Sequence, residues 1–235
     1  MVKHLIHIIL LGLGCFSFGQ TFEVEPIENE LRGSVYSPAF HNGKIVVCSD
    51  QKDRVLGKTV LDLYDKEPVD LYILDPENPS DLSRFVDEFR TIYNDGPISF
   101  NAAADACVIS MNLKTEQNIK GLQKDHNPLG LFISKKYAGM WSYPGGLSFN
   151  NQEYNCSHPA MSADGRTIIF TSNMPGGQGG YDLWMTTYDA GIWSRPVNLG
   201  NRINSEKDEL FPSIDNDQIY FASDRGEFGG LDIYY

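Results

Sequence analysis

Acid–base chemistry near neutral pH would fall first to His41, His126 and His158, the histidines outside the N-terminal twenty residues. None has a nucleophile beside it: His41 adjoins Asn42-Gly43, His126 lies in a polar stretch and His158 precedes Pro159. A catalytic serine would need a G-x-S-x-G elbow, and the chain has none. Gly176, Gly177, Gly179 and Gly180 could wrap a phosphate only if Lys-Ser/Thr and a helix followed, which they do not. The 31 acidic residues contain no D-x-[DN]-x-[DN]-G calcium array. No carboxylate pair for glycoside hydrolysis can be singled out among them without geometry. Cys48, Cys107 and Cys156 lack C-x-x-C spacing and are odd in number, so neither a metal site nor a complete disulfide framework is indicated. No catalytic, cofactor or metal residue is therefore assigned. The candidate contacts for a partner are the aromatics Trp141, Tyr143, Trp193 and Phe228, with core burial the competing role for each.

The elements that would position these residues repeat. His158-Pro159-Ala160-Met161 leads through Asp164-Gly165 to Thr167-Ile168-Ile169-Phe170-Thr171-Ser172, then Gly179-Gly180-Tyr181-Asp182-Leu183-Trp184. Phe211-Pro212-Ser213-Ile214 leads to Ile219-Tyr220-Phe221-Ala222-Ser223-Asp224, then Gly229-Gly230-Leu231-Asp232-Ile233-Tyr234. Looser copies begin at Ser37-Pro38-Ala39-Phe40 and Gly96-Pro97-Ile98-Ser99. A unit of several short strands recurring every 50 to 60 residues or so is the signature of a β-propeller. The expected fold is all-β, a propeller of four-stranded antiparallel blades. Its blades fall near residues 30–80, 90–148, 150–200 and 201–235, the last one incomplete.

Within the third unit, Asp164-Gly165 and Asp189-Ala190-Gly191 are hairpin turns. The unbroken apolar run Ile168-Ile169-Phe170 predicts a strand buried on both faces, as when blades flank it on either side. Cys48 and Cys107 lie in the corresponding runs and act there as small hydrophobes. His158 occupies the place that Phe211 holds in the last unit, which makes it a packing residue. Asp70, Asp182 and Asp232 recur before the third strand, where an acid anchors neighbouring backbone. Leu82, Phe85, Val86, Phe89 and Ile92 follow Ser80 at helical spacing and predict a short rim helix over residues 80–93.

The formal charge is −12, a surface that repels phosphate backbones and argues against a nucleic-acid partner. Residues 1–19 are a separate object. Lys3 and His4 precede the apolar run Leu5 to Phe18, which ends in the small residues Ser17 and Gly19. That is the pattern of a secretory signal, with cleavage expected between Gly19 and Gln20 and residues 20–235 forming the propeller domain. Lipidation at Cys15 is the alternative, though Gly12-Leu13-Gly14 matches it poorly. The run, about 14 residues, is short for a bilayer crossing, and no second run approaches that length, so no transmembrane span is expected.

Trp193, Pro196-Val197-Asn198-Leu199-Gly200, Asp208-Glu209, Phe211-Pro212 and Tyr220 to Arg225 with Gly229 to Tyr234 resemble the WD-repeat-like, TolB-type propellers. They are similar in particular to the propeller part of Bacteroidetes envelope proteins of the OmpA family. The likeness is specific over residues 150–235 and looser over 30–149. It implies an exported protein of the periplasm or outer membrane, binding an envelope protein or cell-wall component without catalysis. In that family an OmpA-like peptidoglycan-binding domain commonly follows the propeller. Since the fourth unit reaches only its third strand at Tyr235, the resemblance implies a C-terminally truncated propeller whose anchoring domain is missing. The alternative is a small ring closed by pairing Thr21 to Glu25 with the last blade. The rival function is a carbohydrate-binding or carbohydrate-active propeller, which would need carboxylates and arginines converging on its axis.

Overall fold

The computed structural model describes residues 33–50, 68–91, 93–113, 128–216, 218–226 and 229–235. Each repeat unit becomes one antiparallel sheet. The first runs in order β1 (Val35–His41), β2 (Lys44–Ser49), β3 (Asp70–Asp75) and β4 (Asn78–Arg84). The second is β5 (Asp95–Phe100), β6 (Ala106–Asn112), β7 (Leu129–Tyr137) and β8 (Met140–Trp141), with β9 (Gly145–Gly146) also on β7. The third is β10 (Cys156–Met161), β11 (Thr167–Ser172), β12 (Asp182–Asp189) and β13 (Ile192–Trp193), with β14 (Val197–Asn198) also on β12. The fourth comprises β15 (Glu209–Asp215), β16 (Gln218–Ser223) and β17 (Asp232–Tyr234).

The apolar second strands do what their pattern demands. On β6, Cys107 and Ile109 pack toward the first sheet against Val46, Cys48 and Leu71, while Val108 packs toward the third against Ile168 and Phe170. On β11, Ile168 and Phe170 face back and Ile169 faces the fourth sheet at Phe221. β6 and β11 are thus covered on both faces, and the alternate side chains of each join two different cores. The thiols of Cys48, Cys107 and Cys156 are free and buried in these cores.

The helix expected over residues 80–93 does not form. Residues 78–84 are the outer strand β4, with Leu82 opposite Leu74, Ser83 opposite Ile73 and Arg84 opposite Tyr72. The exposed edge of β3 supplies a ladder that a free-standing helix would forgo, and an edge strand tolerates Pro79. Arg84 also reaches Asp70 across the pair at 2.8 Å. Among the described residues of that span only Asp87–Phe89 is helical, as a single 3-10 turn that delivers Phe89 into the core beside Trp141.

Side chains at the blade junctions tie each unit to the next. Asn94 accepts from the Val69 backbone N–H, Asn155 from Leu129 and Asp208 from Tyr181, at 3.1, 2.9 and 2.8 Å. The backbone N–H of each clamp residue donates to Asn112, Asn173 or Asp224 of its own blade. The glycine-rich loop before β12 lies against this junction. A Cβ on Gly179 would stand 2.1 Å from the Lys207 carbonyl oxygen, so only glycine fits. Asp182 anchors the same loop, accepting from the backbone of Gln178 and Gly179 and from Asn198 Nδ2.

Candidate functional site

The four x-Pro steps come together on the propeller axis. In each unit the residue before proline takes a left-handed backbone: φ is 52° at Ser37, 112° at Gly96, 46° at His158 and 51° at Phe211. The pairing register slips at the same place in every first strand, between Tyr36 and Ala39, Asp95 and Ile98, Ser157 and Ala160, and Leu210 and Ser213. Proline has no N–H to give to a ladder, so it sits at a bulge on the innermost, edge strand of each sheet. The bulges line an axial channel of about 460 Å³ walled by β1, β5, β10 and β15.

Its wall is made of prolines, phenyl rings and hydroxyls. Phe40 is 80% exposed and Phe211 is 42% exposed. His158 stacks on Phe211, centroids 4.0 Å apart, and burial pushes its imidazole down to about 4, so the ring is neutral at neutral pH. Ser37 Oγ and His158 Nδ1 are buried at this wall without a hydrogen-bond partner among the described residues. No described residue of the channel wall is an acid, a lysine or an arginine.

The expected contact aromatics do not converge there. Trp141 is 9% exposed and sits in the core between the first two sheets, ringed by His41, Phe85, Phe89 and Phe100. Lys136 Nζ lies 4.8 Å over its ring and 3.3 Å from His41 Nε2. Trp193 is half-buried against the core of the second and third sheets, 5.2 Å from the Tyr188 ring. Tyr143 is 73% exposed on the outer rim, and Phe228 lies outside the described residues, as do His126, Cys15 and residues 1–19. The channel residues Ser37, Phe40, His158 and Phe211 were not singled out as contacts from sequence. Their signal was the recurrent x-Pro step itself, whose radial position only the assembled sheets reveal.

Four antiparallel sheets set about a channel lined by their first strands define a β-propeller. Among solved structures the chain is similar to TolB from Acinetobacter baumannii, with 16% identity and a TM-score of 0.50, over 86% of this chain and 40% of that one. It is likewise similar to a putative TolB from Agrobacterium tumefaciens, with 15% identity and a TM-score of 0.51, over 86% of this chain and 57% of that one. The likeness is one of fold, and the chain spans about half the length of these proteins. A puromycin-hydrolyzing peptidase from Mycobacterium tuberculosis matches with a TM-score of 0.48 and 10% identity, over 86% of this chain and 29% of that one. No family model and no curated protein matches the sequence. Among the described residues no helix is long and apolar enough to cross a membrane.

Proposed function

We propose that this chain is a non-catalytic binding scaffold of the bacterial cell envelope that takes a protein partner at the axial opening of its propeller. The observation that carries this reading is the composition of the channel wall. Prolines, Phe40, Phe100 and Phe211 offer apolar area, and the exposed Ser213 offers a hydroxyl. Such a surface suits a peptide segment, which brings both apolar side chains and amides. A carbohydrate-active propeller would draw on carboxylates and arginines at the axis, and the described wall has neither. Export rests on the leader-like residues 1–19, and an envelope setting on the resemblance to OmpA-family propeller proteins. Tyr143 and Trp193 are proposed as secondary contacts, and so is Phe228, which lies outside the described residues.

The test places a photoreactive benzoylphenylalanine at position 40 and illuminates the chain with the envelope fraction of its own bacterium. The expected product is a discrete crosslinked protein, identified by mass spectrometry, that disappears when Ser213→Trp fills the channel mouth. Crosslinks to glycan alone, or a protein adduct indifferent to Ser213→Trp, would overturn the axial reading.

A further inference from the structure

A second concavity lies between the second and third blades, away from the axis. It holds about 600 Å³ and is walled by turns of both blades, at Asn101 to Ala106, Lys135 to Tyr137, Asp164 to Arg166 and Tyr188 to Gly191. That volume is within the range of ligand clefts. A backbone bond from Ala102 N–H to the Ala163 carbonyl, 3.0 Å, ties the two turns and fixes the cleft's width.

Its charges are unevenly engaged. Asp105 accepts from Asn101 Nδ2 at 2.7 Å, and Asp164 from Ser162 Oγ at 2.6 Å and the Arg166 backbone N–H at 2.9 Å. Both acids are bonded within their own hairpins, and the Arg166 charge also acts on Asp164. Lys136 is drawn inward to His41 and Trp141. Lys135 Nζ instead rests 5.0 Å over the Tyr188 ring, with no carboxylate within ion-pair distance among the described residues. Arg166 makes two long contacts, from its guanidinium to the exposed rim residue Asp189 at 3.6 Å and from its Nε to the Tyr188 carbonyl at 3.4 Å. Two weakly satisfied cations thus flank an aromatic ring in a chain of net charge −12. Such a spot is locally complementary to an anion. Gly165, Ala190 and Gly191 line the cleft with no side chain larger than a methyl group, which leaves room for a peptide.

We infer that the cleft between blades two and three binds an acidic segment of a protein partner, with Lys135 and Arg166 holding its carboxylates and Tyr188 its flanking apolar surface. Asp189 competes with the ligand for Arg166. The inference rests on the scaffold reading above and adds a second, charge-selective contact to it.

The probe is an N-acetylated, C-amidated peptide of sequence Gly-Tyr-Asp-Glu-Tyr-Gly, titrated into the isotope-labelled chain and followed by amide shifts. The peptide is expected to shift residues of the four turns. Lys135→Gln and Arg166→Gln should each weaken it about fivefold, the scale of one partly exposed charge contact. Asp189→Asn should tighten binding, because it frees Arg166. The Asn-Gln analogue of the peptide should not bind, and added salt should weaken the acidic one. Equal binding of the two peptides, tightening absent in Asp189→Asn, or binding of a dihexuronate but not the peptide would each overturn the inference. A protein crosslink at position 40 alongside failure here would retain the scaffold and remove this cleft from it.

Discussion

His158 shows how one backbone position decides a side chain's chemistry. Its left-handed φ of 46° turns the ring onto Phe211, which holds the same conformation one blade on. Burial pushes the imidazole down to about 4, and His41 is pushed to the same value by burial and, secondarily, by Lys136. Between about pH 6.5 and pH 4 the unfolded chain takes up protons that the folded chain refuses. Their contribution to stability is therefore complete above about pH 6.5 and is lost as pH falls toward 4. His158→Phe copies the ring found at Phe211. It should fold at about pH 7 and show a smaller fall in Tm between about pH 7 and pH 4.5 than the parent, His41 accounting for part of what remains. An unchanged fall would show that His158 takes up its proton as readily in the folded chain as in the unfolded one.

Among the elements, the inter-blade clamps carry a specific energetic claim. Asn155 accepts from Leu129 N–H at 2.9 Å, donates to the Tyr181 hydroxyl and receives no help from sequence-adjacent residues. Asn155→Ala strands the Leu129 donor at a packed junction and should lower unfolding free energy by about 1–3 kcal/mol. Asn155→Asp retains the acceptor, as Asp208 does in the next blade, and should recover most of the loss. Urea midpoints at unchanged slope measure both variants. If Ala and Asp cost the same, the bond to Leu129 contributes nothing and the residue acts only through its bulk.

For the whole molecule the cores decide cooperativity. Cys48 and Cys107 share the core between the first two blades, while Cys156 belongs to the next, and Val108 and Ile109 of a single strand join both. Burial pushes the Cys48 and Cys156 thiols up to about 12 and the Cys107 thiol up as well, so none is a reactive thiolate. Iodoacetamide at about pH 8 should leave these three unmodified in native buffer and label them together once urea unfolds the chain. Peptide mapping reads each site separately. Labelling of Cys156 well before Cys48 and Cys107 would mean that the blades open one at a time.

Legibility from sequence followed the reach of each interaction. The four recurrent x-Pro steps, the hairpin turns at Asp164-Gly165 and Ala190-Gly191, and the buried runs on β2, β6 and β11 are all readable. Each depends on residues within one unit, where proline's missing donor, glycine's freedom and apolar runs speak for themselves. The helical spacing after Ser80 misled, because the open edge of β3 outweighed a local period. The fate of Trp141, enclosed by rings from both of the first two blades, could not be read from its own neighbours in the chain. Nor could the cleft that sets Lys135 beside Tyr188 and Arg166, since its walls come from turns far apart in sequence. The sequence by itself determined a repeating β unit with a proline near the start of each copy, since hydrogen-bonding and burial demands of single strands are local. Only the radial packing of the blades decided which side chains face the channel, the cleft or the core, because those surfaces do not exist within any one blade.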